Sequence, residues 1–306
     1  MSTPASPWIL PASIASLRNR IASDVDCRAP SEKATSIECS SAGFAGATDS
    51  WGRVWEGAVN LRLWDGVAEE LQARGHTVIA LDQRGHGLSD APESSYDMDT
   101  AVTDIMAVVE ALRLPRPVLA GQSWGGNVVL EFGWRHPREV RGIACVDGGI
   151  IELADWFPSW EACLAALTPP RLDHLTLAEI EARMRAESPQ LPDRAIAAAL
   201  HCFRVREDGR IEPRLARHRH LQIVRSLWEH RPSTRYSTLE TPTLLVLADT
   251  GDEARTAGKR RAEALAQAAP RLRSHWFSPA HHDVHSQFPD RVADLLAAAA
   301  REGFFA

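Results

Sequence analysis

From about residue 61 onward, short apolar runs alternate with amphipathic stretches, and this alternation restricts the chain to few folds. Residues 61–74 carry Leu63, Trp64, Val67 and Leu71 at helical spacing and stop at Gly75. Residues 77–81 are a β-rich run and read as a buried strand. Residues 98–114 repeat the helical pattern through Ala101, Ile105, Val108, Val109 and Leu112, and end before Pro115. Val118-Leu119-Ala120 is the next strand, residues 124–135 the next helix, and residues 143–146 a third strand. The pattern resumes with a strand at 243–247, a helix at 254–268, a strand at 274–277 and a helix at 290–301 with Asp290 as N-cap. Strands alternating with helices over short links predict an α/β fold: a mostly parallel sheet flanked by helices.

The interval 151–236 has no strand signal. Helix-like pieces at 154–167, 177–187, 193–203 and 217–230 are separated by Pro169-Pro170, Pro189, Pro192, Pro213 and Pro232. Such a stretch reads as a helical cap inserted into the sheet domain. The expected organisation is an atypical N-terminal segment at 1–60, core at 61–150, cap at 151–236 and core again at 237–306.

Composition narrows the function classes. Basic residues number 34 against 40 acidic ones, for a net charge of −6, and no basic block is interleaved with aromatics. Nucleic acid is therefore not an expected partner. Only Lys33 and Lys259 are lysines. Five cysteines without a CxxC pair indicate neither a disulfide framework nor a zinc ribbon. No apolar run approaches the ~18 residues of a membrane span. The N-terminus lacks the basic start and long apolar stretch of a signal peptide, so a cytoplasmic location is expected.

The densest chemical signal is Gly121-Gln122-Ser123-Trp124-Gly125-Gly126, between a predicted strand and a predicted helix. A serine on so tight a turn has a strained backbone, and the glycines two residues away on either side allow close packing. The turn exposes the Ser123 hydroxyl and aims the Trp124 amide at a developing oxyanion. A serine hydroxyl needs a base. His282, with His281 and His285 as rivals, lies past the last strand, at the same sheet edge as the serine. A metal reading of His281, Asp283 and His285 matches no standard zinc spacing. The base needs an acid, and Leu247-Ala248-Asp249-Thr250-Gly251-Asp252 supplies two. Asp252 is preferred because it lies further into its loop; Asp249 and Asp147 remain open, each also readable as an Asx-turn.

Taken together, these residues resemble the α/β-hydrolase family with a helical lid. The resemblance rests on the serine turn, on Ala80-Leu81-Asp82-Gln83-Arg84-Gly85-His86-Gly87-Leu88-Ser89, on Val146-Asp147-Gly148-Gly149, and on His282-Asp283-Val284-His285-Ser286-Gln287-Phe288-Pro289. It covers about residues 61–306 and supports His282 over its rivals. It implies hydrolysis of an ester-like small molecule through an acyl-enzyme on Ser123, without metal or organic cofactor. Carbon–carbon bond hydrolysis or cofactor-free perhydrolysis are alternatives within the family. Members with an aspartate nucleophile are disfavoured.

One departure stands out. The family's His-Gly segment, source of the second oxyanion donor, has no counterpart upstream of Leu61; the nearest stretch is Ser41-Ala42-Gly43-Phe44-Ala45-Gly46-Ala47. The expectation is an impaired oxyanion hole or a non-catalytic protein, unless an amide from residues 43–46 substitutes. Arg84-Gly85-His86-Gly87 reads as a structural turn, Trp156, Trp160 and Trp228 as packing, and Arg217-His218-Arg219-His220 as a solvated face.

Overall fold

The computed structural model describes residues 60–305 and the backbone of one strand, Thr35–Ser40. That strand is β1. It is followed by β2 (Thr77–Asp82), β3 (Val118–Gln122), β4 (Gly142–Val146), a short pair β5 (Phe203–Val205) and β6 (Ile211–Pro213), β7 (Thr243–Ala248) and β8 (Leu272–Phe277). Six of them form one sheet in the order β2-β1-β3-β4-β7-β8. Every neighbouring pair in it is parallel. All its strands therefore end at one edge.

The helices are α1 (Asp65–Ala73, after a 3-10 turn Leu61–Trp64), α2 (Met98–Ala111), α3 (Trp124–Arg135), α4 (Leu153–Trp156), α5 (Trp160–Leu167), α6 (Leu177–Glu187), α7 (Asp193–Leu200), α8 (Arg217–Glu229), α9 (Glu253–Ala266), α10 (Val284–Gln287) and α11 (Pro289–Arg301). Alternation along the strands divides the core. Leu119, Ile143, Cys145, Leu245 and Leu247 pack on one face with Ile105 and Val109 of α2 and Val129 and Phe132 of α3. Val118, Ala120, Ala144, Val146, Leu244 and Val246 pack on the other with Val67 and Leu71 of α1 and Val292 and Leu296 of α11. The central strands β3, β4 and β7 are buried throughout, as near-continuous apolar runs in a doubly covered sheet should be.

The structure departs from the sequence reading at several points. Residues 35–40 form a strand between β2 and β3, where no strand was assigned. The strand at 77–82 lies at the end of the described sheet, and of its residues only Leu81 is buried. The helix expected at 154–167 is two helices, because Pro158 has no N–H to donate. Ser159 restarts it as N-cap, accepting from the Ala162 amide at 3.2 Å. Within 151–236, β5 and β6 form an antiparallel hairpin across Asp208-Gly209, with Gly209 at φ 78°. Asp290 lies in the first turn of α11 rather than capping it; Phe288 holds the cap position and Pro289 opens the helix.

Candidate active site

Ser123 joins the last residue of β3 to the first of α3 with φ 53° and ψ −119°. A left-handed φ is costly for a serine and persists only when its surroundings impose it. Here the Ser123 amide donates to the Val146 carbonyl at 2.9 Å, and its own carbonyl accepts from the Asn127 amide at 3.2 Å. Two glycines make the approach possible. A Cβ on Gly121 would lie 2.2 Å from the Gly125 carbonyl oxygen, and one on Gly148 would lie 2.2 Å from that of Ser123.

Asp147 follows β4 directly, at φ 43°, with its amide donating to the Val246 carbonyl at 2.6 Å. Its carboxylate is fully buried and saturated. Oδ1 accepts from the Ala248 amide at 2.9 Å and from Lys259 Nζ at 2.8 Å. Oδ2 accepts from Lys259 Nζ at 2.6 Å and from His282 Nδ1 at 2.6 Å. Burial alone would raise the pKa of this carboxyl; the Lys259 charge and the His282 hydrogen bond overcome that and hold it well below the ordinary carboxylate range.

His282 lies in the loop after β8, and its carbonyl accepts from Gln122 Nε2 at 3.4 Å. Because an ionised carboxylate can only accept, the His282–Asp147 bond places the ring proton on Nδ1. The neutral ring then presents its lone pair at Nε2. That atom and Ser123 Oγ are both buried without a hydrogen-bond partner among the described residues. The backbone links Ser123–Val146 and Gln122–His282 bring the hydroxyl, carboxylate and imidazole to one sheet edge.

The expected acid, Asp252, does not bond His282. Its side chain caps α9 by accepting from the Arg255 amide at 3.0 Å. Asp249 is spent on its own turn, accepting from the Gly251 amide and from the hydroxyls of Thr256 and Ser278. The reason lies in strand order: β4 stands between β3 and β7, so the residue after β4 borders the serine turn. Of the candidate acids, Asp147 is the one hydrogen-bonded to His282.

The rival histidines face elsewhere. The Asp283 amide donates to His281 Nδ1 at 3.1 Å, and His281 Nε2 lies 3.5 Å from Oγ of Ser188, the residue after α6. His285 is buried against Trp64, ring centroids 4.4 Å apart, and burial lowers its pKa to about 4. Among the described residues, no three His, Cys, Asp or Glu side chains gather as a metal site. Trp124 is the first residue of α3, so its amide has no intrahelical acceptor. Residues 43–46, the expected alternative oxyanion segment, lie outside the described residues.

Lys259 was missed in the sequence reading. Its type, rare in this chain, was the available signal. The Arg84 turn braces loops as expected: the guanidinium pairs with both Asp104 oxygens and donates to the Ser95 carbonyl at 3.0 Å. Trp160 and Trp228 pack edge to face, centroids 5.8 Å apart. The 217–220 run is not simply a solvated face. His218 and Arg219 both pair with Glu93, Arg219 Nε donates to the Pro92 carbonyl at 2.9 Å, and His220 is buried. These contacts pin α8 to the loop before α2.

Comparison with known proteins agrees with this architecture. A family profile described as "alpha/beta hydrolase fold" matches residues 43–190. The AB hydrolase superfamily protein YisY of Bacillus subtilis is 38% identical over 78 residues, 26% of this chain and 29% of that one. A non-heme chloroperoxidase of Streptomyces lividans is 44% identical over 69 residues, 22% of this chain and 25% of its own length. The chain thus spans under a third of the length of these curated relatives. The crystal structure of E-2-(acetamidomethylene)succinate hydrolase superposes with a TM-score of 0.64 at 20% identity, covering 87% of this chain and 92% of that one. No helix among the described residues is long and apolar enough to cross a membrane. With its six-stranded parallel sheet and its strand-to-helix serine turn, the chain has the α/β-hydrolase fold.

Proposed function

We propose that the protein is a serine hydrolase that cleaves an ester-like small molecule through an acyl-enzyme on Ser123. His282 is its base and Asp147 its acid. The observation that carries this reading is the pair of unpartnered buried atoms, Ser123 Oγ and His282 Nε2, beside an imidazole oriented by a buried carboxylate.

His282 Nε2 takes the Ser123 proton as Oγ attacks the carbonyl carbon, and the carbonyl electrons move onto the oxyanion. The Trp124 amide is one donor to that oxyanion. As the tetrahedral species collapses, the imidazolium returns the proton to the leaving oxygen. Water then attacks the acyl-enzyme, giving a proton to His282 Nε2, which passes it to Ser123 Oγ as the acid leaves. Asp147 holds the tautomer throughout and stabilises the imidazolium. The inserted segment at 151–236 would shape the acyl pocket as a cap.

The likeness to a relative named as a non-heme chloroperoxidase favours one variation on this chemistry. Hydrogen peroxide replacing water at the acyl-enzyme would release a peracid, with the same proton transfers.

The test is 4-nitrophenyl acetate turnover and fluorophosphonate labelling of wild type and Ser123→Ala. The expected loss of turnover is about 10⁵-fold, with no labelling of the variant. Full activity in Ser123→Ala would remove Ser123 from the mechanism. A wild type that neither labels nor turns over would support a non-catalytic protein on this fold. Adding hydrogen peroxide and assaying peracid decides the acceptor.

A further inference from the structure

Lys259 contributes an uncommon feature to this edge. It is almost wholly buried, on α9, and its ammonium meets Asp147 Oδ1 at 2.8 Å, Asp147 Oδ2 at 2.6 Å and the Ala248 carbonyl at 2.7 Å. An ammonium has three protons, and these are three acceptors in hydrogen-bond range. A neutral amine could donate only two. Asp147 Oδ2 is shared, accepting at once from Lys259 and from His282 Nδ1. A base held by a lone buried carboxylate feels one full negative charge. Here a fixed positive charge bonds that same carboxylate.

We propose that Lys259 is a positioning residue of the site: it fixes the rotamer of Asp147 by both oxygens and, by offsetting its charge, lowers the pH above which His282 can accept the serine proton. The assignment of His282 as base rests on the proposed function. The charge coupling does not, because it acts on the ring whether or not the enzyme turns over. The sign follows from electrostatics. Removing a nearby positive charge raises the proton affinity of the Asp147–His282 pair, whichever member takes the proton.

Other titratable groups meet this pair from the loop after β8 and from α10. They are His281, Asp283 and His285; Asp283 Oδ2 lies 3.6 Å from His281 Nδ1. Burial holds both histidines below their ordinary range. From β3, Gln122 contributes an amide and no charge. Lys259 is the cation bonded to the carboxylate itself.

The test compares wild type with Lys259→Met, Lys259→Gln and Lys259→Arg. Two readouts are taken: the acidic limb of kcat/KM for 4-nitrophenyl acetate, and the ¹⁵N titration of the His282 ring, assigned through His282→Gln. In both neutral variants the limb and the ring titration should move upward by about one pH unit. Lys259→Arg should restore much of the wild-type position. Unmoved His282 titration in the neutral variants overturns the proposal, with or without turnover. A moved titration in a protein that hydrolyses nothing sustains the coupling and refutes the hydrolase reading instead. If the neutral variants do not fold, selective ¹⁵N-lysine labelling of the wild type decides. Only Lys33 and Lys259 then report, and an Nζ resonance of a neutral amine at position 259 near neutral pH would refute the proposal.

Discussion

Two buried clusters in this molecule contain the same parts, a carboxylate, a cation and an imidazole, yet differ in what they leave unpaired. Under α8, Glu131 accepts from His230 Nε2 at 3.1 Å, from Arg235 Nε at 3.0 Å and from Arg135 Nε at 2.7 Å. The other ring nitrogen of His230 meets Asn127 Nδ2 at 3.0 Å, and Asn127 Oδ1 accepts from the Gly149 amide at 2.8 Å. Every ring atom capable of hydrogen bonding is occupied, so this cluster joins α3, the residues after β4 and the end of α8 structurally. At the sheet edge the carboxylate is just as saturated, but His282 Nε2 and Ser123 Oγ are not. That edge also contains two strained residues, Ser123 at φ 53° and Asp147 at φ 43°. A saturated network spends its polar groups on stability. The unpaired atoms at the sheet edge are available for chemistry.

This contrast can be broken by mutation. His282→Ala should lower kcat/KM about 10⁴-fold or more while leaving the urea midpoint nearly unmoved, since its ring is partly exposed and one of its nitrogens bonds nothing. A large loss of stability with small loss of turnover would make His282 a structural residue. Glu131→Gln should do the reverse. It leaves Arg135, Arg235 and His230 facing a neutral amide and should destabilise the fold by about 3 kcal/mol in urea unfolding. Turnover of the folded fraction should stay within about threefold of wild type, because the bond from this cluster to Ser123 is the backbone amide of Asn127, which the substitution leaves in place.

Acid sharpens the comparison further. Burial would raise the pKa of Glu131, but hydrogen bonds from His230, Arg235 and Arg135 prevail and lower it to about 2. A depressed carboxylate stabilises the fold above its unfolded value, and that contribution is lost as pH falls toward the folded value. Stability should therefore decline between about pH 4.5 and 2. The decline should be shallower in Glu131→Gln, as followed by circular dichroism. An equal acid slope in the two proteins would remove Glu131 from that role.

Much of the fold was legible because its signals are local. The 3.6-residue spacing of Ile105 and Val109, the apolar runs of β3, β4 and β7, and the glycines around Ser123 each depend on neighbours a few residues away. The hairpin β5–β6 was missed: its three-residue strands are too short for alternation to register, and Asp208-Gly209 was its one local signal. The acid was not legible. Asp147, Asp249 and Asp252 all end up in loops past a strand, and choosing among them needs the order of strands in the sheet. That order places β4, not β7, beside β3. It is fixed by packing across the whole core, which no window of sequence contains. Lys259 was hidden for the same reason: on a polar helix its burial depends on β7 and on the turn after β4.

The most direct measurement is therefore a matched pair of isosteric variants, Asp147→Asn and Asp252→Asn, compared by kcat/KM on 4-nitrophenyl acetate and by fluorophosphonate labelling rate. Asp147→Asn should fall about 10⁴-fold, because the wrong tautomer of His282 is then favoured. Asp252→Asn should stay within about threefold, since asparagine still caps a helix. A collapse at position 252 with near-normal turnover at position 147 would contradict the account.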